Sequence, residues 1–225
     1  MPKLTTSLKE LMKKNYKLLD GVSEKFRESF GEVVGNFMMI VWGDSGNGKS
    51  NLVFQLVAEL TETGRVLYVS LEEGTEKTIQ NKAAEYFDEK HMGRIAFGDH
   101  HLSYPVLTAL LKKMRSPKFV VIDSLQYWSI TYDQYKQLKR DFPTKAFIFI
   151  SHANGKMPDG KVANSIKYDV GIKVNVEGHI AFPRSRYGGN KPYVIWEEGA
   201  KKYWGKKYKQ IAGNPKKLTP VNDPE

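Results

Sequence analysis

The chain has 225 residues, no cysteine and a formal net charge of +10. That length suits one sizeable core, the lack of cysteine excludes disulfides and thiolate metal sites, and no apolar run approaches the roughly 20 residues of a membrane helix. The positive charge suits a polyanionic partner such as nucleic acid, and the N-terminus lacks a secretory signal's apolar block, so the expectation is a cytoplasmic protein with no membrane partner.

Ser7 and Glu10 form a capping box, and Leu8, Leu11, Met12, Tyr16 and Leu19 follow at helical spacing, predicting an amphipathic helix over about 7–19. A short helix over "EKFRESF" comes next. From there strands and helices alternate. "FMMIVW" (37–42) reads as a buried strand and "KSNLVFQLVAEL" as a helix with Val53, Leu56, Val57 and Leu60 on one face. "RVLYVSL" (65–71) is a strand, "EKTIQNKAAEYF" a helix capped by Thr75, and "RIAFGD" (94–99) a weaker strand. "YPVLTALLKKM" is a helix with Pro105 in its first turn, where the missing N–H costs nothing. "KFVVID" (118–123) and "KAFIFIS" (145–151) are strands flanking a helix capped by Thr131 and Gln134. Such alternation with continuous apolar strands predicts an α/β fold with a mostly parallel sheet. "HANGKMPDGKVANSIKYD" then reads as a polar loop, and "VGIKVNV", "HIAFPRS" and "PYVIWEE" as short strands forming a C-terminal antiparallel extension. Lys201, Lys202, Lys206, Lys207, Lys209, Lys216 and Lys217 concentrate charge in the tail, which is expected to be disordered beyond 205. The resulting division is an N-terminal helical extension (1–30), a core (31–200) and a basic C-terminal tail (201–225).

The stretch "GDSGNGKS", Gly43, Asp44, Ser45, Gly46, Asn47, Gly48, Lys49 and Ser50, matches the phosphate-loop pattern in full. It follows a strand and opens a helix, the setting that the chemistry requires. Glycines let backbone N–H groups turn inward around a phosphate, and the helix N-terminus adds partial positive charge. Lys49 would reach the β- and γ-phosphates of ATP, and Ser50 would ligate Mg²⁺. Asp44 would point its side chain outward. Asp123, ending the apolar strand "FVVID", is the expected second metal-site carboxylate. Glu72 and Glu73 end the strand that follows the phosphate-loop helix. Glu72 is the chosen water-activating base, with the start of the next helix as the ordinary alternative for both.

With these residues in hand, the chain resembles the RecA-like P-loop NTPases over about residues 30–200. "GDSGNGKS", "VLYVSLEEG" and "FVVIDSLQ" are similar to segments of RadA and of DnaB-type helicases. The resemblance implies a glutamate base at Glu72 and a polar γ-phosphate sensor at His152, which ends "FIFISH". "FPRSRYGG" resembles an element whose two basic residues reach a neighbouring subunit's nucleotide; Arg184 and Arg186 match it by spacing, the first being Arg where Lys is usual. The segment 153–168 lies where these proteins place a DNA-contacting loop, which makes Lys156, Lys161, Asn164 and Lys167 candidate phosphate contacts. A core-only ATPase of phage or mobile-element recombination or annealing is the nearest subgroup.

The resemblance therefore implies a Mg²⁺-dependent ATPase acting on single-stranded DNA, assembled as a homo-oligomeric ring or filament. The alternatives are a DnaB-type helicase motor, a DNA-independent regulatory or assembly switch, and a binding module with a dead site. In the tail, Tyr203, Trp204 and Tyr208 alternate with lysines, either stacking on bases or packing on the core. His100 and His101, expected to face opposite ways on a strand, are not expected to form a zinc site.

Overall fold

The computed structural model describes residues 5–213. Within them, α1 (Leu8–Met12) and α2 (Glu24–Phe30) precede β1 (Met38–Gly43), α3 (Lys49–Leu60), β2 (Val66–Ser70), α4 (Lys77–Tyr86), β3 (Ile95–Gly98), α5 (Tyr104–Leu111) and β4 (Phe119–Asp123). The order continues with α6 (Leu125–Trp128), α7 (Tyr132–Asp141), β5 (Ala146–Asn154), β6 (Met157–Pro158), α8 (Lys161–Asp169), β7 (Ile172–Glu177), β8 (Ile180–Ser185), β9 (Tyr193–Val194), α9 (Glu197–Trp204) and α10 (Tyr208–Gly213).

One sheet runs in the order β3-β2-β4-β5-β1-β7-β8-β9, with β6 pairing to β5. The strands from β3 to β7 are parallel, and β8 and β9 add antiparallel pairing at the C-terminal side. This is the expected α/β architecture. Its parallel strands are apolar throughout because helices cover both faces. Alternation along β1 divides the core: Met39 and Val41 join Leu52, Val53 and Phe54 of α3 on one face, while Met38, Ile40 and Trp42 join Leu107, Tyr135 and Ile166 on the other. Leu19, Val22, Phe26 and Phe30, all before residue 31, belong to the first of these clusters.

Several elements differ from the sequence expectation. The N-terminal capping box is present, but α1 stops at Met12 and buries none of its residues. Leu8 and Met12 are 74% and 79% exposed, so no packing extends the helix. Leu19 instead enters the core in an extended segment, its N–H bonded to the Val33 carbonyl. The cap of α4 is Glu76 rather than Thr75. Segment 153–168 is no open loop: β5 continues to Asn154, turns into β6, and α8 follows, with Ala163 and Ile166 buried. Polar composition there hid an amphipathic helix with two apolar anchors. "PYVIWEE" yields a two-residue strand, after which α9 begins at Glu197. The tail up to Gly213 is helical, because Ala200 and Ile211 bury against Ile180. Tyr203, Trp204 and Tyr208 thus sit on helices. Lys216 and Lys217 lie outside the described residues.

Phe54 is the ring around which one face closes. It is fully buried, 5.0 Å from Tyr68 and stacked 5.3 Å from Phe87. Phe54→Ala is expected to cost about 3–5 kcal/mol, measured as a shift in urea unfolding midpoint.

Candidate nucleotide site

The site is assembled by strand register. Parallel pairing sets Gly43 of β1 opposite His152 of β5, and Ser70 of β2 opposite Asp123 of β4. Gly43, His152, Asp123 and Ser70 therefore lie within about two residues of one level on four neighbouring strands, β5 running on to Asn154. There they face a pocket of about 330 Å³ lined by Ser45, Gly46, Gly48, Lys49, Ser50 and Asn51, together with Glu72, Glu73, Lys82, Asp123 and His152. The expected residues from four separate segments are thus brought together.

The loop between β1 and α3 is held from two sides. Gly48 precedes the helix with φ +98°, a conformation that strains other residues. Asp44 is exposed, and its carbonyl accepts from Lys49 Nζ at 3.0 Å. Asn47 does not line the pocket. Its Oδ1 accepts from Gly178 N–H at 2.7 Å and its carbonyl from His179 N–H at 3.2 Å, clamping the β7–β8 turn onto the loop. Burial lowers the pKa of Lys49 from the ordinary lysine value, against the opposing pull of Asp123, Glu72 and Asp44.

Asp123 is buried, and its Oδ2 accepts a 2.5 Å hydrogen bond from the fully buried Tyr68 hydroxyl. Burial raises its pKa above the usual carboxylate range; the Tyr68 hydrogen bond works the other way, and Glu72 adds to the rise. A buried carboxylate and a serine hydroxyl lining one pocket are hard oxygen donors, the kind that suits Mg²⁺. Ser50 and Asp123 are the residues that would hold it.

The two glutamates differ. Glu73 pairs with Lys82 at 3.1 Å. Burial works against its charge, and hydrogen bonds from Thr78 and Lys82 more than offset this, leaving its pKa lowered. Glu72 Oε2 lies 3.3 Å from His152 Nε2 instead. Both members of that second pair line the pocket, each with its side chain partly exposed. Gln126, which sequence reasoning passed over, holds His152 in place: its Oε1 accepts from the His152 N–H at 3.1 Å and its Nε2 donates to Ser151 Oγ.

Arg184 and Arg186 are not part of this pocket. Because β8 runs antiparallel to β7, its first residue adjoins the loop and Arg186 follows its far end. At about 3.3 Å per residue, the strand's length separates the two. Arg186 Nη2 contacts the Tyr168 carbonyl at 3.4 Å, at the end of α8. Of the four candidates in segment 153–168, Asn164 turns inward, donating to the Pro158 and Gly160 carbonyls at 2.8 and 3.0 Å. Lys167 is half-buried, its Nζ 5.2 Å from the centre of the Trp42 ring. Lys156 and Lys161 are exposed. His179 and Trp196 line the pocket without having been singled out from sequence. Neither lies in a motif; the Asn47 clamp and the β8–β9 pairing carry them there.

His100 and His101 do not face opposite ways. The strand ends at Gly98, and in the turn beyond it the two rings are 4.1 Å apart. With Asp99 they form a cluster whose ligand atoms lie within 4.8 Å of one another.

No family model matches the chain. It is 38% identical over 97 residues to the DNA repair protein RadA of Listeria monocytogenes, a match covering 43% of this chain and 20% of that protein. The chain thus spans about a fifth of that relative's length. Among solved structures it is similar to the KaiC-like protein PH0186 of Pyrococcus horikoshii, with a TM-score of 0.56 at 16% identity over 76% of this chain and 88% of the other. It is also similar to the flagellar accessory protein FlaH of Methanocaldococcus jannaschii, with a TM-score of 0.54 at 16% identity over 78% and 84%. The likenesses show a RecA-like α/β fold, with a mostly parallel central sheet and antiparallel C-terminal strands. Among the described residues no helix is long and apolar enough to cross a membrane.

Tyr68→Phe removes the donor to Asp123 and leaves Asp123 Oδ2 without that partner. The expected cost is about 1.5–3 kcal/mol. Tyr68 favours the ionised carboxyl, so the loss should grow as pH rises through the folded-state pKa of Asp123. Urea unfolding of both proteins at acid and at neutral pH measures this; a loss that shrinks with rising pH is the contrary outcome.

Proposed function

We propose that the chain is a Mg²⁺-dependent ATPase acting on single-stranded DNA in recombination, annealing or replication. One observation carries the nucleotide half: Lys49, Ser50, Glu72, Asp123 and His152, from separate segments, line a single pocket. Lys49 and the loop N–H groups bind and orient the triphosphate. Ser50 and Asp123 hold Mg²⁺, which when bound neutralises phosphate charge. Glu72 takes the proton of the attacking water. The 3.3 Å contact between Glu72 and His152 supports coupling of that base to a sensor at the end of β5, whereas the Lys82 pair occupies Glu73.

Arg184 and Arg186 act, in this reading, on a neighbouring copy's nucleotide, where a trans arginine would stabilise charge growing on the γ-phosphate. Their distance from their own loop supports action between subunits and so a homo-oligomer, ring or filament. The nucleic-acid half rests on the likeness to a DNA repair protein, the net charge of +10 and the face of α8. There Tyr168 is 68% exposed, with Lys167 and Lys173 Nζ each 5.9 Å from its ring centre. Lys156 and Lys161 extend that basic surface.

The second reading is an ATP-driven regulatory or assembly switch indifferent to DNA. The likenesses to a KaiC-like protein and to a flagellar accessory protein favour it equally. A helicase motor of DnaB type would add hydrolysis-dependent strand displacement.

Turnover measured with and without single-stranded DNA separates these readings: stimulation is expected, and an unchanged rate favours the switch. Lys49→Ala should abolish ATP binding, and Glu72→Gln should keep binding while losing at least about a hundredfold in turnover. Retained turnover in Glu72→Gln would move the base elsewhere. Arg186→Ala should bind ATP without turning it over, and mixing it with Lys49→Ala should restore activity in mixed oligomers. No restoration would argue against a shared site.

A further inference from the structure

The pocket is two-sided. On one side of the loop, β5, β4 and β2 bring His152, Asp123 and Glu72, the groups suited to a terminal phosphate and its metal. A triphosphate anchored by Lys49 and Ser50 with its γ end there must send its nucleoside end to the other side. That side is formed by β7, β8 and the segment after β9, which supply His179 and Trp196 to the pocket lining.

These two residues form a built wall. The β7–β8 turn is clamped to Asn47, as described, and Ile195 N–H returns to the His179 carbonyl at 2.9 Å, fixing Trp196 above it. The His179 and Trp196 rings meet edge to face at 5.0 Å and 75°. Trp196 is nevertheless 50% exposed, in contrast to Trp42 and Trp128, each at 5%. The indole is seated over Gly199: a Cβ there would lie 2.2 Å from Trp196 Cε3 and 2.7 Å from His179 Cδ2. The first turn of α9 therefore has room for the ring only because residue 199 has no side chain. His179 Nδ1 is buried with no protein hydrogen-bond partner, 3.3 Å from where a Cβ on Gly48 would be. A buried ring nitrogen so placed is costly, and a polar atom of a ligand seated on the loop would satisfy it.

We propose that Trp196, buttressed by His179 and seated over Gly199, is the shelf on which the base of a bound purine nucleoside triphosphate stacks. This rests on the reading that the loop between β1 and α3 holds a nucleotide. Stacking uses the face of the base, so the larger purine gains more than a pyrimidine, whereas phosphate contacts are indifferent to the base.

The test compares ATP, CTP and inorganic tripolyphosphate by calorimetry. In the unaltered protein ATP should bind more tightly than CTP. Trp196→Ala should weaken ATP binding about tenfold and narrow the gap between ATP and CTP, leaving tripolyphosphate unchanged. Trp196→Phe should recover most of the ATP affinity, and Gly199→Ala, which displaces the indole, should reproduce the alanine pattern. Equal weakening of ATP and tripolyphosphate in Trp196→Ala, or no weakening of either, overturns the shelf alone. Failure of the unaltered protein to bind ATP or tripolyphosphate overturns the phosphate-loop reading and the shelf with it.

Discussion

The site depends on the position of β1 between β5 and β7. Parallel hydrogen bonding on both edges fixes the end of β1 against its neighbours, Gly43 beside His152 on one side. Across the other edge, β7 runs into a turn whose Gly178 and His179 N–H groups bond to Asn47. The loop is therefore pinned between two unlike walls. A carboxylate-rich wall faces it from β4 and β2, and an aromatic wall from the β7–β8 turn and Trp196. A one-residue slip of β1 would turn each of its side chains to the other core and lift the loop out of level with Asp123.

Electrostatics within the pocket are held in opposition. Lys49 and Lys82 face Glu72, Glu73 and Asp123, and the deepest charge, on Asp123, has its pKa raised by burial. Burying a carboxylate is costly unless it is hydrogen-bonded or paired with a cation. Tyr68 supplies the hydrogen bond from within the protein. This arrangement is one that a divalent cation would complete, and it ties the hydrophobic core directly to the site, since Tyr68 packs against Phe54 at its ring and bonds Asp123 at its tip.

Away from the pocket, the far end of the β7–β8 hairpin gathers a different chemistry. Arg186 bonds to the last turn of α8, where Tyr168 stands exposed between lysines. The pocket lining and the basic-aromatic surface are thus at opposite ends of the same hairpin.

The sequence by itself determined the alternating strands and helices, the glycine-rich loop between β1 and α3 and the carboxylate that ends β4, because each is written locally. Apolar runs mark strands buried on both faces, and glycines with Lys49 and Ser50 match the phosphate-loop pattern at a helix start. It also carried the fold class, through the motifs at 43–50, 66–74 and 119–126. Only the tertiary structure decided which side chains meet. Strand order set Glu72 against His152, while the turn into α4 set Glu73 against Lys82, a choice that adjacent glutamates cannot reveal. Long-range contacts made α8 a helix despite its polar composition, and burial against Ile180 kept the basic tail helical to Gly213. The absence of such contacts ended α1 at Met12. His179 and Trp196 were invisible for the same reason: the Asn47 clamp joins the loop to a turn 131 residues away, and the bond from Ile195 back to His179 carries Trp196 with it, neither of which a local pattern encodes.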